Sequence, residues 1–93
     1  MDKNTIAQEI IQRVENAKTV NFASWRIGLT HDPKSRIAQH GAEGLNTQHW
    51  LQWEADSLSD AQEIELYFVS DKGMKGGTGG DLSASMTVYV YIF

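Results

Sequence analysis

The sequence predicts a single α/β (α+β) domain, a sandwich of two or three layers in the order αβαβαβ around a mixed or antiparallel sheet of about three strands. Three observations lead there. Two long stretches carry apolar residues at helical spacing, three others alternate apolar and polar residues, and no repeat or linker divides the chain. Its 93 residues fall within the roughly 50 to 250 of one domain, so residues 1–93 are read as one unit.

The first helix spans about Thr5 to Ala17. Ile6, Ile10, Val14 and Ala17 share one face, and Thr5 with Gln8 makes a capping box. A strand follows, surest from Trp25 to Thr30, where Trp25, Ile27 and Leu29 alternate with Arg26, Gly28 and Thr30. Asp32 suits an N-cap, Pro33 the first helical position and Gly41 the stop, giving a short helix from Pro33 to His40. After a loop, the stretch from His49 to Ala55 alternates as a second strand. The next helix takes Ser59 as N-cap, Gln62 as its capping-box partner and Gly73 as its end. The glycine-rich run GMKGGTGGD reads as a mobile connection or a flap. It lacks the lysine followed by Ser or Thr that closes a P-loop, and no helix begins after it. The run SASMTVYVYIF is the strongest strand, with Met86, Val88, Val90 and Ile92 opposite Thr87, Tyr89, Tyr91 and Phe93.

Composition excludes several classes of function. With no cysteine, disulfides, thiolate zinc sites and cysteine nucleophiles are ruled out. The three histidines lack the H-E-x-x-H spacing of a zinc enzyme. No apolar run is long enough to span a membrane and the N-terminal residues have no apolar signal segment, so a cytoplasmic protein is expected. Twelve acids against eight bases give a net charge of −4, which does not support strong non-specific DNA binding. A local basic patch stays open, because Lys34, Arg36, Lys72 and Lys75 lie in or just after predicted helices.

Two constellations carry potential chemistry. On the third helix, Ala61, Ile64, Phe68 and Val69 form the apolar stripe, and Glu65 falls inside it while Glu63 points away. A carboxylate there must be paired, protonated, metal-bound or at a cleft. One reading has it at the stripe edge, reaching water or pairing with Arg26 or Arg36. Arg36 and His40, four residues apart, share a helix face. Arginine offers a fork of donors for phosphate or carboxylate, and histidine carries protons near neutral pH. The same spacing is also common on solvated helix surfaces. Trp25, Trp50 and Trp53 are read mainly as core, with base stacking the alternative.

Together, RIGLTHDPKSRIAQH and SDAQEIELYFV resemble segments of the GIY-YIG nuclease superfamily. The first matches that family's second strand and first helix: an Ile-Gly pair, a turn with Asp-Pro, then arginine and histidine four apart. The second matches its later helix, which carries a metal-binding glutamate. The match covers roughly Trp25 to Val69. The resemblance implies a phosphodiester hydrolase with Arg36 as electrostatic stabiliser, His40 as proton carrier and Glu65 as ligand to one Mg²⁺ or Mn²⁺. DNA as partner follows from the resemblance rather than from the charge. Two departures are evident: Arg26 stands where the family has a tyrosine, and a helix, not a G-I-Y strand, precedes Trp25. A circularly permuted arrangement, with the C-terminal strand in the place of the family's first strand, would bring Tyr89 or Tyr91 to Arg36. The alternatives are a catalytically inactive relative serving as a binding or interaction module, and an unrelated α/β domain. The terminal strand is also the expected open edge, through which a homodimer would form.

Overall fold

The computed structural model describes residues 1–18, 21–76 and 82–93. Helix α1 spans Lys3–Glu15, and a 3-10 turn at Phe22–Ser24 leads into strand β1, Arg26–Thr30. Helix α2 spans Pro33–Ala42, β2 Leu51–Glu54, α3 Leu58–Ser70, β3 Lys75–Gly76 and β4 Tyr89–Ile92. The result is a small α/β domain with a four-stranded open sheet in the order β2-β4-β1-β3. The sheet is mixed: β4 runs antiparallel to both β1 and β2, and β3 runs parallel to β1.

Register decides the two faces. Ile27 lies opposite Ile92 and Leu29 opposite Val90, which also faces Trp53. These side chains form one buried cluster with Ile6, Ile10 and Val14 of α1 and Ala61, Ile64 and Phe68 of α3. Trp53 reaches α1 through its indole N–H, which donates to Glu9 at 3.0 Å. On the other face Gly28 lies opposite Tyr91 and Thr30 opposite Tyr89. Helix α2 meets that face through His40, whose Nε2 is 2.9 Å from the Tyr91 hydroxyl. The helices thus cover both faces of the sheet, α1 and α3 on one and α2 on the other.

Several expectations are corrected. The C-terminal strand is not an edge: β4 is paired on both sides, and β2 and β3 are the edges. A homodimer through β4 therefore has no free backbone to use. Its two faces explain the interior position, because Val88, Val90 and Ile92 are buried on one side and Tyr91 on the other. The strand is also shorter than its alternation suggested. Met86, 56% exposed, belongs to a turn in which its N–H donates to Ser83. The sheet gains a fourth strand, since Lys75–Gly76 of the glycine-rich run pairs with Arg26 and Ile27. The rest of that run, 77–81, lies outside the described residues.

Helix ends shift by a few residues. Asp2, not Thr5, caps α1, accepting from the Thr5 N–H at 2.9 Å and its hydroxyl at 3.0 Å. An aspartate has an oxygen for each donor and a charge suited to the helix N-terminus. Asp2→Ala is expected to cost about 1 kcal/mol, read from urea unfolding of the two proteins. Helix α2 keeps Asp32 and Pro33 at its start but runs through Gly41 to Ala42, and Gly44, with φ +85°, takes the left-handed position after it. Ser57 rather than Ser59 caps α3, accepting from the Asp60 N–H, which adds a turn residue, Leu58, to the core margin. Gly73, φ +79°, follows α3 as predicted.

Candidate functional site

The placement of β4 beside β1 brings the site together. Gly28 has no side chain, and the Tyr91 ring lies across it: a Cβ there would collide with the hydroxyl and ring carbons of Tyr91. Tyr91 is 3% exposed and stacks on Trp50, with ring centroids 4.2 Å apart and planes 9° apart. Phe93 extends the stack, 5.3 Å from Trp50 and 4.8 Å from the His40 ring. One face of the Tyr91 ring is therefore packed, while its hydroxyl is held by His40 of α2.

The polar partners form a short chain. His40 Nδ1 is 3.1 Å from Glu43 Oε1, and Nε2 is 2.9 Å from the Tyr91 hydroxyl. A carboxylate accepts, so Nδ1 carries hydrogen toward Glu43. In the neutral imidazole this leaves Nε2 to accept the Tyr91 O–H. Burial pushes the Tyr91 hydroxyl above its ordinary range, the Arg36 guanidinium opposes that, and the Glu65 carboxylate adds to it. Tyr91 is accordingly a neutral hydroxyl at neutral pH.

Glu65 lies in the opposite helix layer, on α3. Strand β3 ends at Gly76, so β1 has no described neighbour on that side from Gly28 onward. The charges of Glu65 on α3 and Arg36 on α2 act on each other. Burial raises the Glu65 carboxyl from 4.5 to about 7, and Arg36 opposes the rise without cancelling it. Neither Arg36 nor Arg26 forms an ion pair with it, so the paired stripe-edge reading does not hold among the described residues. Its Oε2 is buried with no hydrogen-bond partner among the described residues. Arg36 instead donates to Gln39 at 3.0 Å and lies close enough to the Tyr91 hydroxyl to oppose the upward push of burial on it.

Arg36, His40, Tyr91, Arg26, Glu43 and Lys75 are among the side chains lining a cleft of about 260 Å³ over Gly28. Of the predicted residues, Arg36, His40 and Tyr91 come together in it; Glu65 is not among its lining residues, although its charge acts on Arg36 and Tyr91. Tyr89 does not. It shares the Tyr91 face but sits one pleat away, opposite Thr30 and Glu54. His31 serves the fold, its Nε2 accepting from the Ser83 N–H at 2.9 Å and its Nδ1 2.7 Å from the Thr87 carbonyl. Trp25 and Trp53 are core, as expected. Glu43 and the Trp50 stack went unremarked in the sequence. Glu43 was within reach of a local rule, being three residues after His40 on the same helix face. The Trp50 contact depends on strand pairing and had no local signal.

The donor set suits only one style of metal binding. Among the described residues no group of three or more His, Cys, Asp or Glu could enclose an ion. Glu65 offers a single partnerless carboxylate oxygen. Mg²⁺ keeps several waters and binds through one or two carboxylates plus substrate phosphate oxygens. Glu65 offers the single carboxylate that pattern needs, from outside the cleft lining, whereas a closed zinc or calcium site would need more ligands.

Glu65 also makes stability depend on pH. Between pH 4.5 and about 7 the unfolded chain has lost the Glu65 proton and the folded chain retains it. The folded state binds more protons there, so stability falls as pH rises through that window and then levels. Allowing for solvent screening of a half-buried group, the loss is about 1–2 kcal/mol. Glu65→Gln is expected to remove this slope and to be the more stable protein at pH 8 without metal, as read from urea unfolding between pH 4.5 and 8.

Comparison with family models, curated proteins and solved structures finds no match to this chain. No helix among the described residues is long and apolar enough to cross a membrane.

Proposed function

We propose that this domain is a small metal-dependent endonuclease that hydrolyses a DNA phosphodiester, with a GIY-YIG-like site in permuted order. The observation that carries the reading is the convergence of Arg36, His40 and Tyr91 on the cleft over Gly28, with the charge of Glu65 acting on Arg36 and Tyr91. Strand β4, central and antiparallel to β1, supplies the tyrosine in the place of the family's first strand.

The residues divide the work by their chemistry. Arg36 presents its guanidinium to the phosphoryl oxygens, where charge builds in the transition state. The Tyr91 oxygen accepts a proton from the attacking water as its own proton passes to His40 Nε2. Glu43 holds the opposite ring nitrogen and stabilises the imidazolium that results. The Trp50 and Phe93 stack keeps the Tyr91 ring from swinging away. Mg²⁺ or Mn²⁺, when held by Glu65, supplies positive charge at a phosphate oxygen.

A second reading, a catalytically inactive GIY-YIG-like module that binds phosphodiester or protein partners, draws on the net charge of −4 and on Arg26 in the place of a tyrosine. Cleavage of supercoiled plasmid, branched DNA and single-stranded DNA with Mg²⁺ or Mn²⁺ separates the two. Metal-dependent nicking absent from identically purified Glu65→Ala and Arg36→Ala proteins supports the nuclease. No cleavage, or equal cleavage by all three proteins, supports the module.

A further inference from the structure

The cleft contains more positive charge than hydrolysis of one phosphodiester requires. Besides Arg36, it is lined by Arg26 and Lys75. These two are register partners across the β1–β3 pair, so like charges stand at paired positions and repel each other. Neither forms an ion pair among the described residues, although acids outnumber bases in the chain, twelve to eight. Arg26 has the same strand parity as Gly28 and so projects to the Tyr91 face. The two-residue step between them is about 6.7 Å, of the order of the distance between adjacent phosphates in an extended strand. Past Arg26 and Lys75 the cleft continues into a second chamber of about 330 Å³, bounded by Trp25, Asn46, His49 and Phe93. Arg26, Lys75 and Phe93 border both compartments.

We infer that Arg26 and Lys75 form a second phosphate subsite, so that the domain holds two successive phosphates of one nucleic-acid strand. The reacting phosphate lies at Arg36 and Tyr91, its neighbour lies between Arg26 and Lys75, and the adjoining nucleoside enters the chamber beside Trp25, His49 and Phe93. The inference rests on reading the cleft as a phosphodiester site. It gives the Arg26 departure a purpose, since a guanidinium binds a phosphate that a tyrosine ring could not neutralise.

The test compares binding of thymidine 3′,5′-bisphosphate with thymidine 5′-monophosphate at low salt without divalent metal, by calorimetry and amide shift perturbation. The bisphosphate is expected to bind about ten-fold tighter, as one added charge-assisted phosphate contact implies. Arg26→Gln and Lys75→Gln should each reduce that preference and the shifts at Trp25 and His49, while Lys3→Gln, which removes a positive charge from a pair with Glu63 outside both chambers, should leave both intact. Equal affinities for the two probes, a preference surviving in both glutamine variants, or no binding of either probe would overturn the subsite. The outcome is separable from the cleavage assay. A bisphosphate preference without DNA cleavage upholds the subsite and favours the binding module. Cleavage without the preference upholds the nuclease and removes the subsite.

Discussion

Replacing Arg36 by alanine is expected to lower metal-dependent phosphodiester cleavage by about 10²- to 10³-fold while changing stability by less than about 0.5 kcal/mol. The two effects separate because of where Arg36 sits. Helix α2 has no fully buried residue, and the Arg36 guanidinium, besides bonding to Gln39 of its own helix, acts on the Tyr91 hydroxyl across the cleft. Little of the fold depends on it. A guanidinium aimed at the phosphoryl oxygens acts where charge grows during reaction, and a pre-oriented donor of that kind is worth a few kcal/mol in the transition state. Arg36→Lys retains the charge and loses the fork, so it should fall between wild type and alanine.

A second readout ties Arg36 to Glu65. Its positive charge holds the Glu65 carboxyl below where burial alone would put it. Removing Arg36 should therefore raise the Glu65 titration above its value of about 7 and shift the acid limb of Mg²⁺ binding, where protonation of the carboxylate competes with the ion, to higher pH. The side-chain carboxyl resonance of Glu65, followed by NMR across pH in the two proteins, measures this without reference to activity. An Arg36→Ala protein with wild-type cleavage and an unmoved Glu65 titration would remove both residues from the chemistry together.

The parts of this molecule that were legible in the sequence are those governed by near neighbours in the chain. The apolar stripe Ala61, Ile64 and Phe68 is set by helical periodicity and is buried as the spacing demands. The anomaly of Glu65 within that stripe follows from the same count, and it marks the carboxylate whose oxygen lacks a partner. Asp32 and Pro33 start α2 because their conformational preferences are local. What could not be read are quantities that depend on distant pairing. Strand β3 is two residues long, with no side-chain pattern to betray it, and exists because β1 has an unpaired backbone edge to offer. The interior position of β4 follows from its having two buried faces, and its register decides that Tyr91 rather than Tyr89 lies over Gly28. Nothing within the alternation of the terminal strand distinguishes those two tyrosines. The cap of α3 differs from the expected Ser59 for a related reason. Ser57 and Ser59 are both good caps, and the contact Leu58 makes with the core favours the earlier one.

Gly28→Ala is expected to cost about 2–3 kcal/mol of stability and to abolish cleavage, although it adds a single methyl group. Small residues within strands often mark a close approach, and here the approaching group is the Tyr91 ring. A Cβ at position 28 would overlap the Tyr91 hydroxyl and its carrier carbon, with a further ring carbon at 2.8 Å. The ring has no easy escape. Moving it gives up the stack on Trp50, worth about 0.5–1.5 kcal/mol, and the bond to His40, worth about 1 kcal/mol. Because ring carbons collide as well as the hydroxyl, Tyr91→Phe should not rescue the alanine variant, whereas Tyr91→Ala should. The double-mutant cycle of Gly28→Ala with Tyr91→Ala is expected to show a coupling of about 1–2 kcal/mol in the rescuing direction. Tyr91→Phe alone separates packing from chemistry. It keeps the stack and most of the stability but loses the proton-accepting oxygen, with an expected loss of about 10²- to 10⁴-fold in cleavage. A Gly28→Ala protein as stable and as active as wild type would mean that the Tyr91 ring does not lie across that glycine. With it would go the geometric basis for placing a tyrosine hydroxyl beside Arg36 and His40.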